Sequence, residues 1–340
     1  MKLWKKAGAL MLALALTLAL ASCGQQETQT EEPEEVTGES YSVAALKGPT
    51  AMGLVKLMHD AESGAELTND YTFTLAASAD EVSPKLMQGE LDIACVPANL
   101  AAVLYQKTGG EIVTLGINTL GVLYIVENGN AVTSMADLAG KTIVASGKGS
   151  TPEYALRYLL RENGVDPDGG VVIDWKSEHS ECVSALATGA ATIAMLPQPF
   201  VTVAQSKLQD LRVALDLTEE WDALDNGSAL LTGVVVARKD VVEENPAAID
   251  AFLADYAQSV EWVNANTADA AALIGDYGIV DAAVAEKALP ACNIVCITGA
   301  EMKEKLSGYL QVLFEEDPSS VGAQAGDDAG LPGDDFYYGA

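Results

Sequence analysis

An internal repeat constrains this chain more than any other feature of its sequence. Leu86–Pro97 (LMQGELDIACVP) recurs as Leu186–Pro197 (LATGAATIAMLP) at a shift of 100 residues. Upstream, Lys47-Gly48-Pro49-Thr50 recurs as Lys148-Gly149-Ser150-Thr151 at a shift of 101 residues, so one residue is inserted between the two matches. Self-similarity at one fixed spacing means one design built twice. Two similar lobes are therefore expected.

Each copy reads as α/β. Tyr41–Leu46 and Lys141–Ser146 are short apolar runs with β-branched residues, each followed by a glycine-containing turn and then a helical pattern. Thr151 stands as a helix N-cap before Pro152, with Leu156, Leu159 and Leu160 as the apolar face; Thr50 stands likewise before Leu54, Leu57 and Met58. A second pair of turns is a capping-box pattern at Ser78–Glu81 and its counterpart around Ser177, Glu178 and Glu181. A third follows Pro97 and Pro197, as Ala98-Asn99 and Gln198-Pro199. Turns at the carboxyl ends of parallel strands share one rim of a sheet, and helix N-termini aim their free N–H groups outward from it. Two such rims facing each other make a cleft. The residues expected to line it are Lys47, Gly48, Thr50, Asn99, Asn118 and Thr119 from the first copy, Lys148, Gly149, Ser150, Thr151 and Gln198 from the second, and Thr232.

About 300 residues exceed the usual size of one compact core, which again favours two lobes. After the second copy, Leu230–Ala237 reads as a strand and Pro246–Val263 as a helix with Ile249, Phe252, Leu253, Tyr256 and Val260 inward. These and the helices that follow have no partner in the second copy and are expected to pack back on the first. Lobe 1 is then 41–125 plus 232–338 and lobe 2 is 126–231. The fold class is α/β, two similar lobes joined by a two-strand hinge near Leu123–Glu127 and Leu231–Val235.

The N-terminus carries an address. Lys2, Lys5 and Lys6 precede an apolar run from Ala7 to Leu20, which ends in Leu20-Ala21-Ser22-Cys23. This is a signal peptide over 1–22 closing in a lipobox, with Cys23 as the lipidated residue. The run is short for a bilayer crossing, which takes about 20 apolar residues. Diacylglycerol on Cys23 together with an acylated amine gives a lasting anchor. A plain secretory peptide is the alternative. Residues 23–40, rich in Gln, Thr and Glu, read as an acidic disordered tether, which places the protein outside the cell membrane and anchored to it.

Forty-nine acidic against 19 basic residues give a formal charge of −30. That disfavours nucleic acid and anionic lipid surfaces as partners. It does not restrict the cleft, because screening over about 8–10 Å lets two local lysines dominate a pocket. Lys47 and Lys148 either pair with a solute anion or are solvated turn residues. Four cysteines remain besides Cys23, namely Cys95, Cys182, Cys292 and Cys296, and they read as buried small hydrophobes, although Cys292 and Cys296 can pair if the backbone turns between them. His59 and His179 do not stand at metal-ligand spacing with them, so no metal and no cofactor is expected. His179, near the expected rim, either touches the solute or assists chemistry or is a solvent-facing loop residue, the last favoured because no orienting partner is visible, and Trp175 either stacks on a planar solute or packs in the core. Ala139-Gly140-Lys141-Thr142 resembles the end of a P-loop, but Met135 stands where the first glycine belongs. No Gly-x-Ser-x-Gly elbow is present.

Several of these segments carry a resemblance. Gly89–Ala94 (GELDIA), Asp137–Ile143 (DLAGKTI), Gly149–Tyr154 (GSTPEY) and Asp335–Tyr338 (DFYY) resemble, in this order, the ABC-transporter substrate-binding proteins for nitrate, sulfonate, taurine, bicarbonate and thiamine-pyrimidine compounds. The likeness runs from Ser42 to Tyr338. It implies a type II periplasmic-binding-protein fold, hinge closure over one small-molecule solute, and docking of the closed monomer on an ABC permease. Helix N-termini and two lysines favour an anionic or strongly polar solute, and Tyr124, Tyr154 and Trp175 suit a planar ring. The lobe pair also resembles bacterial enzymes of menaquinone precursor synthesis that act on small carboxylates, although a membrane anchor is foreign to intracellular metabolism. An anchored ligand sensor is the third reading.

Overall fold

The first repeat opens with β1 (Ser40–Leu46), buried at Tyr41, Val43, Ala44 and Ala45, and continues into α1 (Pro49–Met52) and α2 (Val55–Ser63). Next come β2 (Asp70–Ala76) with α3 (Ala79–Gln88), β3 (Ile93–Pro97) with α4 (Ala98–Thr108), and β4 (Ile112–Leu120). After a two-residue step the chain enters β5 (Leu123–Glu127), and the pattern repeats. It runs through β6 (Thr142–Ser146) with α5 (Thr151–Glu162), β7 (Val172–Lys176) with α6 (His179–Ala187), β8 (Ile193–Pro197) with α7 (Phe200–Lys207), and β9 (Arg212–Asp216) with α8 (Leu217–Asp222). The remainder is β10 (Leu231–Arg238), α9 (Lys239–Glu244), α10 (Pro246–Ala265), α11 (Thr267–Asp276), α12 (Ala282–Ala288), β11 (Ile294–Ile297) and α13 (Gly299–Glu316). This computed structural model describes residues 38–323 and 330–340; the signal-peptide segment, Cys23 and nearly all of the tether lie outside the described residues.

The strands form two sheets, ordered β11-β4-β10-β3-β1-β2 and β7-β6-β8-β5-β9. In the first, β1 is parallel to β2 and β3, and β10 runs antiparallel between β3 and β4. In the second, β6 is parallel to β7 and β8, and β5 runs antiparallel between β8 and β9. The run β2-β1-β3-β10-β4 thus superposes in order on β7-β6-β8-β5-β9. Register agrees: Ala44 pairs with Ala94 and Val144 with Ala194, the same shift of 100. Because β1 and β6 end at Leu46 and Ser146, also 100 apart, the extra residue of the second repeat sits in the turn after β6. The repeated glycines do the same work in each unit, Gly89 at φ 79° and Gly189 at φ 74° ending α3 and α6 in the left-handed conformation that glycine adopts without strain.

Each unit borrows its antiparallel strand across the sequence. The second sheet takes β5 directly after β4, and the first takes β10 only after the second is complete, so the chain crosses between units twice. The protein is an α/β fold of two similar units joined by these crossings. Carboxyl ends of β1, β3, β6 and β8 consequently lead into helices that start along the line where the units meet.

A third connection was not read from the sequence. Helix α13 packs on β4 and α4 of the first unit and also on α5 of the second. There Trp221, fully buried, lies 4.8 Å from the Tyr158 ring and 5.6 Å from that of Tyr309 on α13, and its Nε1 donates to Ser228 Oγ at 2.9 Å. Arg161 of α5 makes a two-pronged pair with Glu316, 2.6 Å and 2.7 Å, at the end of α13. Tyr124 Oη adds a link at β5 by donating to the Ala291 carbonyl at 2.9 Å. Cys95, Cys182, Cys292 and Cys296 are all free thiols, so the Cys292–Cys296 alternative is not realised; burial pushes the Cys292 thiol up to about 12. Among the described residues no helix is long and apolar enough to cross a membrane.

Candidate functional site

A cavity of about 270 Å³ opens where the two units meet. One wall is Leu46–Thr50 with Pro97 of the first unit, the other is Ser150–Pro152, His179 and Pro197–Phe200 of the second, and Val122, Leu123 and Thr232 of the crossing strands form the floor. Lys47, Gly48, Thr50, Ser150, Thr151, Gln198 and Thr232 from the sequence-derived set lie on this surface. The other five do not. Lys148 and Gly149 sit on an exposed turn, where the Gly149 N–H donates to Glu153 Oε2 at 2.7 Å. Asn99, Asn118 and Thr119 are buried behind the wall and bonded to protein. Asn99 Nδ2 donates to the Ser320 carbonyl (3.2 Å), Asn118 Nδ2 to the Thr50 carbonyl (3.3 Å), and Thr119 Oγ1 to Asn118 Oδ1 (3.1 Å). They hold the wall in place and do not face the cavity.

The caps also differ from expectation. Helix α1 is capped by Gly48 at φ 137°, a conformation suited to glycine, whose carbonyl accepts from the Ala51 N–H at 3.1 Å. Helix α5 is capped by Ser150, which is extended and whose carbonyl accepts from Glu153 N–H at 3.0 Å. Thr151 is therefore the first and Thr50 the second residue of its helix, and neither is the cap. Their hydroxyls donate elsewhere, Thr50 Oγ1 to the Leu46 carbonyl (2.9 Å) and Thr151 Oγ1 to Asn99 Oδ1 across the unit boundary (3.3 Å).

Which polar groups remain for a solute follows by accounting. Pro49, Pro152 and Pro199 supply no N–H, and among the described residues the amides of Thr50 and Thr151 at these helix starts have no partner. Gln198 Oε1 accepts from Thr202 Oγ1 at 3.0 Å, so its amide NH₂ is the end available to the cavity. Lys47, exposed at the rim, is the one lysine or arginine of the lining and is in no ion pair among the described residues; its Nζ lies toward Gly278, outside the lining, and no carboxylate lines the wall. Proline rings, Leu46, Val122, Leu123 and Phe200 make the rest apolar. The rings of Tyr124, Tyr154 and Trp175 are packed into the protein and contribute nothing to the wall; Phe200 and His179 are the rings that do.

A family profile described as "ABC transporter, phosphonate, periplasmic substrate-binding protein" matches residues 64–288. The chain belongs to this family. Among solved structures, an ABC transporter protein from Parabacteroides distasonis superposes with a TM-score of 0.72 at 22% identity, covering 87% of this chain and 99% of that one. The periplasmic aliphatic sulphonate binding protein SsuA from Escherichia coli gives 0.66 at 18% identity, over 82% and 92%. These likenesses establish the fold. YtlA of Bacillus subtilis (strain 168) is 22% identical over 212 residues, 61% of this chain and 60% of that relative, so the chain matches less than two thirds of its length.

His179, expected near the rim, is a wall residue of this substrate-binding protein. It is not on a solvent-facing loop but is the first residue of α6, half-buried, with Nδ1 hydrogen-bonded to Ser146 Oγ and its ring 4.9 Å from Phe200. Ser146 is 2% exposed and outside the cavity wall, so it orients the imidazole and offers no nucleophile. The capping box that starts α6 locates His179 on the rim; its partner, 33 residues upstream on β6, has no local signature. Burial holds the imidazole below its ordinary range. The sign follows by linkage: the unfolded chain, with an ordinary pKa of about 6.5, takes the proton first, so this contribution to stability is present above that value and is lost as pH falls through the folded one. Urea denaturation from about pH 7.5 down to pH 5 should show wild type losing stability faster than His179→Gln, with no difference in slope above about pH 7. Parallel slopes throughout would remove the depressed imidazole.

Proposed function

We propose that this substrate-binding protein captures a small polar or anionic organic solute in the cavity between its units and delivers it to the permease of an ABC importer. The observation that carries this reading is the lining of the cavity: free donors from Lys47, Gln198, Thr50 and Thr151, one positive charge, and no carboxylate. Such a surface complements oxygen acceptors on a solute of low negative charge. The units built from 41–125 plus 232–338 and from 126–231 close over the solute as lobes, because contacts made to both walls favour the closed state. Family membership and the fold shared with the sulphonate-binding SsuA support transport over catalysis.

Native mass spectrometry of the purified protein should reveal a carried small molecule, and calorimetry should return a single site for it. Lys47→Ala should weaken that affinity about tenfold at low salt, with a smaller penalty above about 0.5 M salt, where charge attraction is screened. A solute bound equally well by Lys47→Ala at both ionic strengths is bound somewhere other than this cavity. We further propose that Cys23 carries the lipid and holds the protein at the outer face of the cell membrane. Labelling with radioactive palmitate should mark wild type and leave Cys23→Ser unlabelled and released; label retained by the variant would refute the anchor.

A further inference from the structure

We propose that His179, clamped between Ser146 and Phe200, sets the charge this cavity accepts, selecting a headgroup with one negative charge over a doubly charged headgroup of the same shape. This rests on the solute-binding reading above and adds a residue and a selection rule to it. The first unit supplies the cation of the wall, Lys47. From the second unit the turn after β7 supplies His179, which lines the same cavity and is the titratable side chain of that wall.

Several features oppose a cationic ring at that place. His179 is the first residue of α6, where the positive end of the helix dipole disfavours a cation. The acidic groups near it are engaged elsewhere: Glu181 accepts from the Ser177 and Glu178 amides at 2.8 Å and 3.2 Å, Glu178 is turned to the amides of α6, and Asp174 pairs with Lys176 at 2.9 Å. Cys182, beside Ser146, has its thiol pushed up by burial and stays uncharged. Burial is also the cause that lowers the imidazole. The Ser146 Oγ–Nδ1 contact is open to either tautomer; in the proposed one Ser146 O–H donates to Nδ1 and the proton sits on Nε2, which has no partner among the described residues. An N–H donor of this kind satisfies one solute oxygen but leaves a second negative charge uncompensated, and burying such a charge is costly.

Benzenesulfonate and phenylphosphonate test this, since they share a tetrahedral headgroup on one ring and differ in charge when the phosphonate is doubly ionised. At such a pH, wild type should bind the sulfonate at least about tenfold more tightly. His179→Gln, which keeps an N–H donor, should hold the sulfonate within about threefold and keep the preference. His179→Lys should move the ratio about tenfold toward the phosphonate. Independently of any variant, calorimetry of wild type in two buffers of different ionisation enthalpy should register proton uptake with the phosphonate and none with the sulfonate. Tighter binding of the doubly charged probe, or equal affinities without proton uptake, would overturn the role of His179 and leave the solute-binding reading standing. A folded His179→Lys with an unchanged ratio would also overturn it. Binding of neither probe by wild type removes the small-anion reading and the inference together.

Discussion

Replacing Trp221 with alanine is expected to lower stability by about 3–5 kcal/mol, the range for emptying a fully buried indole site. The indole is fully buried, packed by Tyr158 from the second unit and Tyr309 from α13, with its N–H satisfied by Ser228. Removing it strips apolar contact from both sides of the junction and leaves the Ser228 hydroxyl without this partner. Since α13 belongs in sequence to the last segment of the chain, the variant should also loosen that helix before the rest unfolds. Urea titration read by circular dichroism measures the first effect, and amide exchange along α13 the second. A loss under about 1 kcal/mol with α13 still protected would mean that the junction is held without the indole.

Gly233→Val should be comparably damaging for the opposite reason. A β-carbon at Gly233 would stand 2.5 Å from Asn118 Oδ1 and 2.5 Å from Thr50 Cγ2, closer than atoms approach. Neither neighbour is free to retreat. Asn118 is fully buried and bonded to the Thr50 carbonyl and to Thr119, and Thr50 is tied back to Leu46. Overpacking of this kind costs about 1–3 kcal/mol, and valine should reach the top of that range. Position 233 lies beside Thr232 on the cavity floor, so binding of the solute recovered with wild type should be lost even at temperatures where the variant is folded. Normal stability and affinity in Gly233→Val would show that β10 shifts to make room.

The repeat made the architecture readable because it survives in residues that shape the backbone, namely the helix-ending glycines at 89 and 189 and the paired strand positions 94 and 194. Side-chain direction was less readable. Strand β4 is buried at Ile112–Thr119, so no alternation distinguished residues facing the cavity from residues behind it, and Asn118 and Thr119 were read as lining. The caps lie two residues before Thr50 and one before Thr151 because Gly48 and Ser150 adopt the glycine-only or extended geometry that starts a helix, a choice made by the turn and not by the threonine hydroxyl. Pairings such as Ser146 with His179, or Arg161 with Glu316 at a separation of 155 residues, leave no periodic trace in a single chain.

Five prolines, Pro49, Pro97, Pro152, Pro197 and Pro199, stand in the cavity wall, and they govern how strictly it discriminates by size. Their rings have almost no rotameric freedom to surrender and their φ angles are already fixed, so ordering them around a solute costs little entropy. The same stiffness keeps these parts of the wall from yielding. A wall of methionines or leucines re-forms around a homologous solute with another methylene, whereas proline rings do not, so under the proposed function this cavity should favour one compact solute over its longer homologues.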